Sequence, residues 1–333
     1  MLNVALIGCG NMSRGYVEAF AKRRGEARVA ACVDVEPARA RAAAEAFEGA
    51  EPATDYRAVL DQVDAVMLVL PHHLHHPVGM DCLAAGKHVL MEKPLANSEG
   101  ECLDLIRASE ASGRVLMTAY CMRFHPLVVR LKELVDAKAY GDLFHLSIWT
   151  EQHTQYAPDH WASSAAKLGG GQLFSHGCHY IDLLLWFLGD PVEGTHVGTN
   201  YGTPWMEKEG TSNVAIKFAG GALGYHFGTW GAKGTRLGYS FHAHCTEGMI
   251  EVDITGGRII AHTPKGEEVL MEASVGKHVG NEIEHFLECA QTGRRPLTDG
   301  PSSLQGLRVI WRLYEAEQQG VVADLRGLGL PKG

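Results

Sequence analysis

Residues 4–13 have the sequence Val4-Ala5-Leu6-Ile7-Gly8-Cys9-Gly10-Asn11-Met12-Ser13, a short apolar run followed by a glycine loop. The run predicts a buried strand, and the pattern after the loop predicts a helix over residues 13–24. In such a strand–loop–helix unit the first glycine makes the turn, and the second lets a pyrophosphate approach the helix N-terminus. Ser13 replaces the usual third glycine and is small enough for the same packing. The loop therefore predicts dinucleotide binding by Gly8, Gly10, Asn11 and Met12, whereas the alternative is a tight turn that binds nothing.

A second predicted strand, residues 28–33, ends at Asp34, which lies 24 residues after Gly10. A carboxylate at this position can accept hydrogen bonds from both hydroxyls of a ribose, and it would repel a 2′-phosphate. Asp34 therefore favours NAD over NADP as the cofactor. Two features oppose this interpretation: Arg39 and Arg41 follow on the next helix, and an aspartate here can also be a helix N-cap.

Apolar runs and helical patterns alternate through the first 120 residues. Strands are predicted at residues 64–70, 88–91 and 115–118, and Ser98 with Glu101 forms a capping box for a helix that reaches about Ser112. Such alternation is typical of a doubly wound parallel sheet, because parallel strands need crossover connections. We therefore predict an α/β fold in which residues 1–120 form an N-terminal Rossmann domain.

From residue 121 the pattern becomes that of an antiparallel sheet. A helix is predicted over residues 123–135, and apolar and polar residues then alternate in several short segments, two of them joined by a Gly220-Gly221 hairpin turn. We predict that residues 121–333 form a C-terminal α+β domain with a large, mostly antiparallel, open-faced sheet. Because Tyr and Trp side chains would lie on the open face, we expect a homodimer or homotetramer to form through it.

Composition excludes several classes of function. The chain has 333 residues and a net charge of −9, and no basic cluster indicates a nucleic-acid partner. No stretch approaches the roughly 20 apolar residues of a membrane span, and Met1-Leu2-Asn3 leaves no room for a signal peptide. The eight cysteines lack metal-finger spacing. We interpret them as reduced thiols and expect a cytoplasmic protein.

Lys93 follows the apolar run 88–91 in the stretch Met91-Glu92-Lys93-Pro94. A lysine at the carboxyl end of a strand, in a sheet that opens with a dinucleotide loop, faces the crevice where nicotinamide would lie. This position makes Lys93 the first candidate catalytic residue.

Four histidines lie in the loop after residues 64–70, which has the sequence Pro71-His72-His73-Leu74-His75-His76. A metal site is the less favoured interpretation, because no pair has a carboxylate at ligand spacing. The loop lies where the nicotinamide ribose is expected, so Pro71, His72 and His75 are predicted to contact the cofactor. His242 and His244 alternate on one strand face, and there we expect a solvent or interface role rather than a metal.

The segment 169–189 carries a candidate base. Three glycines precede an apolar run that predicts a helix ending at Gly189. Ser175, His179 and Asp182 would lie near one face of this helix. Asp182 can hold one ring nitrogen of His179 and leave the other free as a base. The alternative is a buried, hydrogen-bonded histidine with a structural role.

Together these stretches resemble the Gfo/Idh/MocA oxidoreductases, the glucose–fructose oxidoreductase and inositol dehydrogenase group, over nearly the whole chain. The resemblance rests on the glycine loop, the histidine loop, residues 85–96, the segment 169–189 and Arg123-Phe124-His125-Pro126. It implies that Glu92 and Lys93 touch nicotinamide and substrate, that His179 is the catalytic histidine, and that Arg123 belongs to the cofactor site. It also implies an open-faced sheet used for dimers or tetramers.

The chain departs from this family at Ser175, where an aspartate is usual four residues before the histidine, and His176 beside it is unusual. Three ways of moving the proton therefore stay open: Ser175 passes it to water, His176 contributes, or His179 works alone.

Three functions follow as alternatives. The first is an NAD-dependent dehydrogenase that acts on a secondary hydroxyl of a sugar, glycoside or cyclitol, with Lys93 and His179 at the reacting oxygen. The second is an NAD-dependent glycosidase or lyase that oxidises the ring transiently, eliminates a group and reduces the ring again. The third is a non-catalytic sensor that binds the cofactor and a partner protein, and the presence of both Lys93 and His179 argues against it.

Overall fold

The computed structural model describes residues 1–22 and 27–331. The chain divides into two units, one formed by Met1–Cys121 with Lys277–Leu304 and the other by Met122–Gly276 with Gln305–Gly333. Residues 277–304, which the sequence prediction placed in the second domain, are thus part of the first unit.

The first unit contains the strands β1 (Leu2–Ile7), β2 (Ala27–Val33), β3 (Glu51–Ala53), β4 (Ala65–Leu68), β5 (His88–Glu92) and β6 (Leu116–Ala119). The second unit contains the strands β7 (Leu143–Glu151), β8 (Pro191–Thr199), β9 (Thr211–Phe218), β10 (Leu223–Thr229), β11 (Tyr239–Cys245), β12 (Gly248–Asp253), β13 (Arg258–Thr263), β14 (Gly266–Glu272) and β15 (Ala323–Asp324). The α-helices of the described residues are α1 (Ser13–Ala21), α2 (Pro37–Ala44), α3 (His75–Ala84), α4 (Glu99–Ser112), α5 (Pro126–Asp136), α6 (Ala165–Leu168), α7 (Cys178–Leu188), α8 (Val279–Thr292) and α9 (Gly300–Gln319).

The first sheet has the strand order β3-β2-β1-β4-β5-β6, and every neighbouring pair is parallel. All residues of β4 and β6 are buried, as expected for parallel strands that are covered on both faces. The strand order reverses between β1 and β4, and ligands of doubly wound sheets bind at such a switch point. The predicted Rossmann architecture is confirmed.

The edge strand β6 is covered by a segment from near the C-terminal end of the chain. The backbone N–H of Thr118 donates to the carbonyl of Thr298 at 2.8 Å, and the Thr298 hydroxyl donates to the carbonyl of Thr118 at 2.7 Å. An antiparallel bridge also joins Met117 to Asp299. The segment therefore protects an edge whose hydrogen-bonding groups could otherwise pair with another chain.

The second sheet has the order β14-β13-β12-β11-β7-β10-β9-β8-β15, and only the pair β7 and β10 is parallel within the described residues. Helix α7 packs on one face, where Gly224 of β10 leaves room for Leu184. The opposite face carries Trp149, Tyr225 and Phe227, whose rings lie 5.3–5.6 Å apart in neighbouring pairs. The predicted mostly antiparallel sheet is confirmed.

Three helix termini test the sequence predictions. The capping box is confirmed, because Ser98 Oγ accepts from Glu101 N–H at 3.3 Å while a Glu101 carboxylate oxygen accepts from Ser98 N–H at 3.1 Å. Helix α5 begins at Pro126 rather than at Arg123, because the residue before proline is extended and a short 3₁₀ turn, Cys121–Phe124, precedes it. Helix α1 ends at Ala21, and the predicted end at residue 24 lies outside the described residues.

In the described part of the chain, no helix combines the length and the apolar character that a membrane crossing requires.

Candidate active site

The glycine loop between β1 and α1 has the shape of a ligand cradle. Gly8 has a φ of +96°, and a Cβ there would lie 2.1 Å from the carbonyl oxygen of Val69, so only glycine fits. At Gly10 a Cβ would meet no atom of the described residues within 4 Å, so space is open above the second glycine. The Ser13 hydroxyl donates to the Gly10 carbonyl at 2.7 Å and fixes the helix entry. Asn11 and Met12 are the exposed residues between this cradle and α1.

Asp34 lies beside the loop at the carboxyl end of β2. One carboxylate oxygen accepts from the backbone N–H of Cys9 at 2.9 Å, and the other accepts from that of Glu36 at 2.9 Å. A carboxylate has about four acceptor sites, so two remain for the hydroxyls of a ribose. The cradle and this carboxylate together fit a dinucleotide.

The histidine loop contains one residue that the sequence prediction assigned incorrectly. His75 is completely buried, with Nδ1 2.7 Å from the carbonyl oxygen of Pro94 and Nε2 3.0 Å from that of Leu70. Burial lowers its pKa. His75 therefore links the loop after β4 to the segment after β5 and presents no face to a cofactor. Pro71 precedes a 3₁₀ turn, His72–Leu74, and His72 is 4% exposed.

Glu92 and Lys93 lie at the carboxyl end of β5, the strand next to β4. The backbone N–H of Lys93 donates to Glu92 Oε2 at 3.1 Å, and the phenol of Tyr16 donates to Glu92 Oε1 at 3.0 Å. Both oxygens of the Glu92 carboxylate are therefore fixed in the first unit.

In the second unit, helix α7 is preceded by a π-helical turn, Leu173–Gly177, which contains Ser175. The sequence predicted regular helical spacing here, and the wider turn changes the angular relation between Ser175 and His179. Both side chains are buried, with exposures of 4% and 7%. Short π-helical turns within helices occur frequently at functional sites. The helix ends before Gly189, which has a φ of +84°.

Asp182 and Arg123 pair with each other, a contact that the sequence analysis did not predict. The guanidinium donates to both carboxylate oxygens of Asp182, at 2.7 and 2.8 Å, and it lies 4.8 Å above the Trp186 ring. The two side chains are 2% and 1% exposed. Arg123 is thus held in a buried ion pair, and it is the partner that the structure shows for Asp182. The predicted contacts of Asp182 with His179 and of Arg123 with a cofactor stay predictions.

His176 lies in a directional chain of hydrogen bonds. The Gln172 amide donates to His176 Nδ1 at 3.3 Å, which leaves the proton on Nε2 to donate to the Tyr239 hydroxyl at 3.4 Å. The Tyr239 hydroxyl in turn donates to Gln152 Oε1. The His176 and His179 rings are 6.1 Å apart. Sequence patterns gave no signal for Tyr239, because its partners His176 and Gln152 are 63 and 87 residues away. Gln172 lies four residues before His176, and that spacing was the signal that could have found it.

An aromatic patch lies on the segments before and after α6. Tyr156 stacks on His160 with ring centroids 4.1 Å apart, and Trp205 meets the Tyr156 ring edge-on at 5.4 Å. Trp161 and Trp205 pack against a small core that includes Trp230.

Two family models match the chain. Residues 2–120 match the model described as an oxidoreductase family with an NAD-binding Rossmann fold, and residues 128–251 match the GFO/IDH/MocA C-terminal domain.

Individual relatives are sugar and cyclitol enzymes by name. Inositol 2-dehydrogenase 2 of Saccharopolyspora erythraea is 31% identical over 194 residues, which are 57% of this chain and 55% of that protein. The match to this relative thus spans about half of its length. D-xylose 1-dehydrogenase (NADP(+)) 2 of Haloferax volcanii is 26% identical over 92% of this chain and 94% of its own. Among solved structures, the aldose-aldose oxidoreductase of Caulobacter crescentus, complexed with glycerol, has a TM-score of 0.87 and 26% identity over 97% of this chain and 99% of its own.

Proposed function

Because the chain is a member of the Gfo/Idh/MocA oxidoreductase family, we propose that it removes hydride from a secondary hydroxyl of a sugar, glycoside or cyclitol, with NAD as the acceptor. The observation that carries the proposal is that one parallel sheet combines the Gly8–Gly10 cradle after β1 with a lysine at the carboxyl end of β5, two strands away. A non-catalytic protein that only binds the cofactor would not need that lysine.

The residues of the first unit hold the cofactor. Gly8 and Gly10 allow the backbone to approach a pyrophosphate, with Asn11 and Met12 at the rim, and Asp34 accepts the hydroxyls of the adenosine ribose. Pro71 and His72 follow β4 at the switch point, and Glu92 follows in β5. When bound, NAD supplies a hydride acceptor. Asp34 disfavours a 2′-phosphate, so NAD is preferred to NADP.

Two residues act on the reacting hydroxyl. His179 takes its proton as a general base. The Lys93 ammonium donates a hydrogen bond to the same oxygen and stabilises the alkoxide charge that develops, a contribution of about 3 kcal/mol if it resembles a single oxyanion donor. Ser175 provides a hydroxyl four residues before His179, and His176, whose ring centroid lies 6.1 Å from that of His179, is the second candidate to carry the proton.

One observation favours the redox-neutral alternative, in which the transiently oxidised ring eliminates a glycosidic group. After oxidation, elimination needs a second base to remove the proton next to the new carbonyl, and His176, whose ring centroid lies 6.1 Å from that of His179, is a second imidazole beside the first. Water would then add to the alkene, and return of the hydride would leave the cofactor unchanged.

The test is to incubate the protein with NAD and a panel of sugars, glycosides, nucleotide sugars and inositols. NADH absorbance and release of aglycone are followed together. NADH formation supports the dehydrogenase, whereas aglycone release without net NADH supports the alternative. If neither product forms with any member of the panel, the proposed function is wrong.

We also propose a homo-oligomer that forms through the open face of the second sheet. Trp149, Tyr225 and Phe227 form an aromatic group on that face, and Leu223 beside them is 50% exposed. Apolar side chains grouped on an exposed face are typical of an interface. Light scattering after size-exclusion chromatography should give a dimer or tetramer, and Tyr225→Glu should shift it towards the monomer. A wild-type monomer would contradict the proposal.

A further inference from the structure

In the first unit a buried phenol lies between two carboxyl groups, one of them buried and the other half-buried. Tyr16 of α1 places its hydroxyl 3.0 Å from Glu92 Oε1 and 3.3 Å from Glu282 Oε1, and Glu282 belongs to α8. Tyr16 is 2% exposed and Glu282 is completely buried. We call these three residues the acid group.

The number of hydrogens in the acid group limits its protonation state. A phenol carries one hydrogen, so Tyr16 can donate to only one of the two carboxyl groups at a time. If both carboxyl groups were ionised, the carboxylate that does not receive this hydrogen would face the lone pairs of the phenol oxygen. The two groups would then repel each other. Each of the two contacts has its own hydrogen when Glu282 is a neutral acid that donates to the Tyr16 oxygen, while the Tyr16 hydroxyl donates to Glu92.

The surroundings of Glu282 agree with a neutral acid. Its Oε2 is buried and has no hydrogen-bond partner among the described residues. Burial without a partner costs less free energy for the carbonyl oxygen of a neutral acid than for an oxygen of an ionised carboxylate. Burial first, and the Glu92 charge second, raise the pKa of Glu282 well above its ordinary range, while the hydrogen bond with Tyr16 and the Lys277 charge act in the opposite direction. Burial also raises the pKa of Tyr16, with Glu92, Glu282 and Cys121 adding to the effect. The phenol therefore keeps its hydrogen.

We propose that Glu282 is a positioning residue: as a neutral acid it directs the Tyr16 hydroxyl towards Glu92, and so fixes the Glu92–Lys93 peptide at the end of β5. The link to Lys93 is the 3.1 Å bond from its backbone N–H to the other oxygen of Glu92. The proposal rests on the proposed function, which gives Lys93 its catalytic role. Glu282 contacts neither substrate nor cofactor and acts only through Tyr16.

The kinetic test compares three single variants, one double variant and one control variant with the wild type. Glu282→Gln keeps a donor of the same shape, so turnover should stay within about twofold. Glu282→Leu and Tyr16→Phe each break the chain and should lower kcat about tenfold, the loss expected for one hydrogen bond to a charged group, with little change in KM. The double variant Glu282→Leu/Tyr16→Phe should lose no more than either single variant. Glu284→Leu, an exposed position of the same helix, is the matched control.

A second measurement needs no substrate. The infrared spectrum of the wild type at neutral pH should contain the carbonyl stretch of a protonated carboxylic acid that is missing from Glu282→Gln. NADH affinity, measured by fluorescence, should be nearly equal in both. This spectrum tests the acid group even if Glu282→Leu does not fold or no substrate is found. A missing acid band would therefore contradict this inference without contradicting the proposed function.

Three results would overturn the inference. The first is the absence of the carboxylic acid band, which would mean that Glu282 is ionised. The second is a Glu282→Gln variant that loses as much turnover as Tyr16→Phe. The third is a Tyr16→Phe variant with wild-type turnover.

Discussion

The two units bury polar groups in opposite ways. In the second unit Arg123 and Asp182 are ions of opposite sign, held by two short hydrogen bonds. In the first unit Glu92 and Glu282 are groups of the same kind, joined through the phenol of Tyr16. Burial of a charge is tolerated when a counter-ion compensates it or when a proton removes it. The ion pair should therefore be sensitive to loss of a partner, and the acid group should be sensitive to pH.

The largest effect should come from breaking the ion pair. Asp182→Ala leaves the guanidinium buried without a counter-ion, and removal of one partner from such a pair costs about 3–5 kcal/mol. Urea unfolding should show this loss. The double variant Arg123→Met/Asp182→Leu should recover most of it, because no charge stays buried. Wild-type stability in Asp182→Ala, with an altered pH profile of kcat, would instead return Asp182 to the role beside His179 that the sequence suggested.

In the proposed mechanism, Lys93 is the catalytic residue of the first unit. Lys93→Met should lower kcat by about two to three orders of magnitude, since it removes a donor to the developing alkoxide. NADH affinity, measured by fluorescence, should change little. The exposed Lys265→Met is the control for loss of one positive charge. Unchanged turnover in Lys93→Met would remove Lys93 from the mechanism and leave the acid group a purely structural feature.

The acid group should give the protein a pH-dependent stability. Because the pKa of Glu282 is raised in the folded state, the folded chain holds a proton that the unfolded chain releases above about pH 4.3. The free energy of unfolding should therefore fall as pH rises towards the folded-state pKa, by up to about 1.4 kcal/mol per pH unit from this group. Glu282→Gln should lack this component, so denaturant unfolding should show a difference from the wild type that grows with pH. Parallel curves would contradict the prediction.

A smaller effect is expected from the hydrogen-bonded chain of the second unit. Tyr239→Phe removes the hydroxyl between His176 and Gln152, and loss of one neutral hydrogen bond corresponds to about 1 kcal/mol. If that chain carries the proton, kcat should fall several-fold and its pH profile should shift, while substrate KM stays constant. Tyr225→Phe, on the opposite face of the sheet, is the control. A profile identical to the wild type would leave His179 acting without this chain.

The sequence was a good guide wherever partners are local. The glycine loop, the Ser98–Glu101 capping box and the strand before Lys93 each depend on residues a few positions apart, and the structure has all three. Alternating strand and helix signals were enough to predict the parallel sheet, because parallel strands need crossovers.

The sequence failed where partners are distant. Asp182 has His179 as a neighbour at helical spacing, so a local pairing was predicted, but its partner Arg123 lies 59 residues away. The π-helical turn at Ser175 could not be predicted from the apolar pattern, because a single wider turn leaves the pattern almost unchanged. Glu282 looks like an ordinary surface glutamate in the sequence, because its partner Tyr16 lies 266 residues away on α1.

The segment that covers strand β6 has a consequence for how such enzymes can be recombined. A gene fragment that stops after codon 121 would encode all six strands of the first sheet, but it would lack Thr298 and helix α8. The product would expose a bare strand edge and an apolar groove against α1, and should aggregate. Transplanting the cofactor-binding unit between relatives therefore requires two coordinated exchanges, one of codons 1–121 and one of codons 277–304.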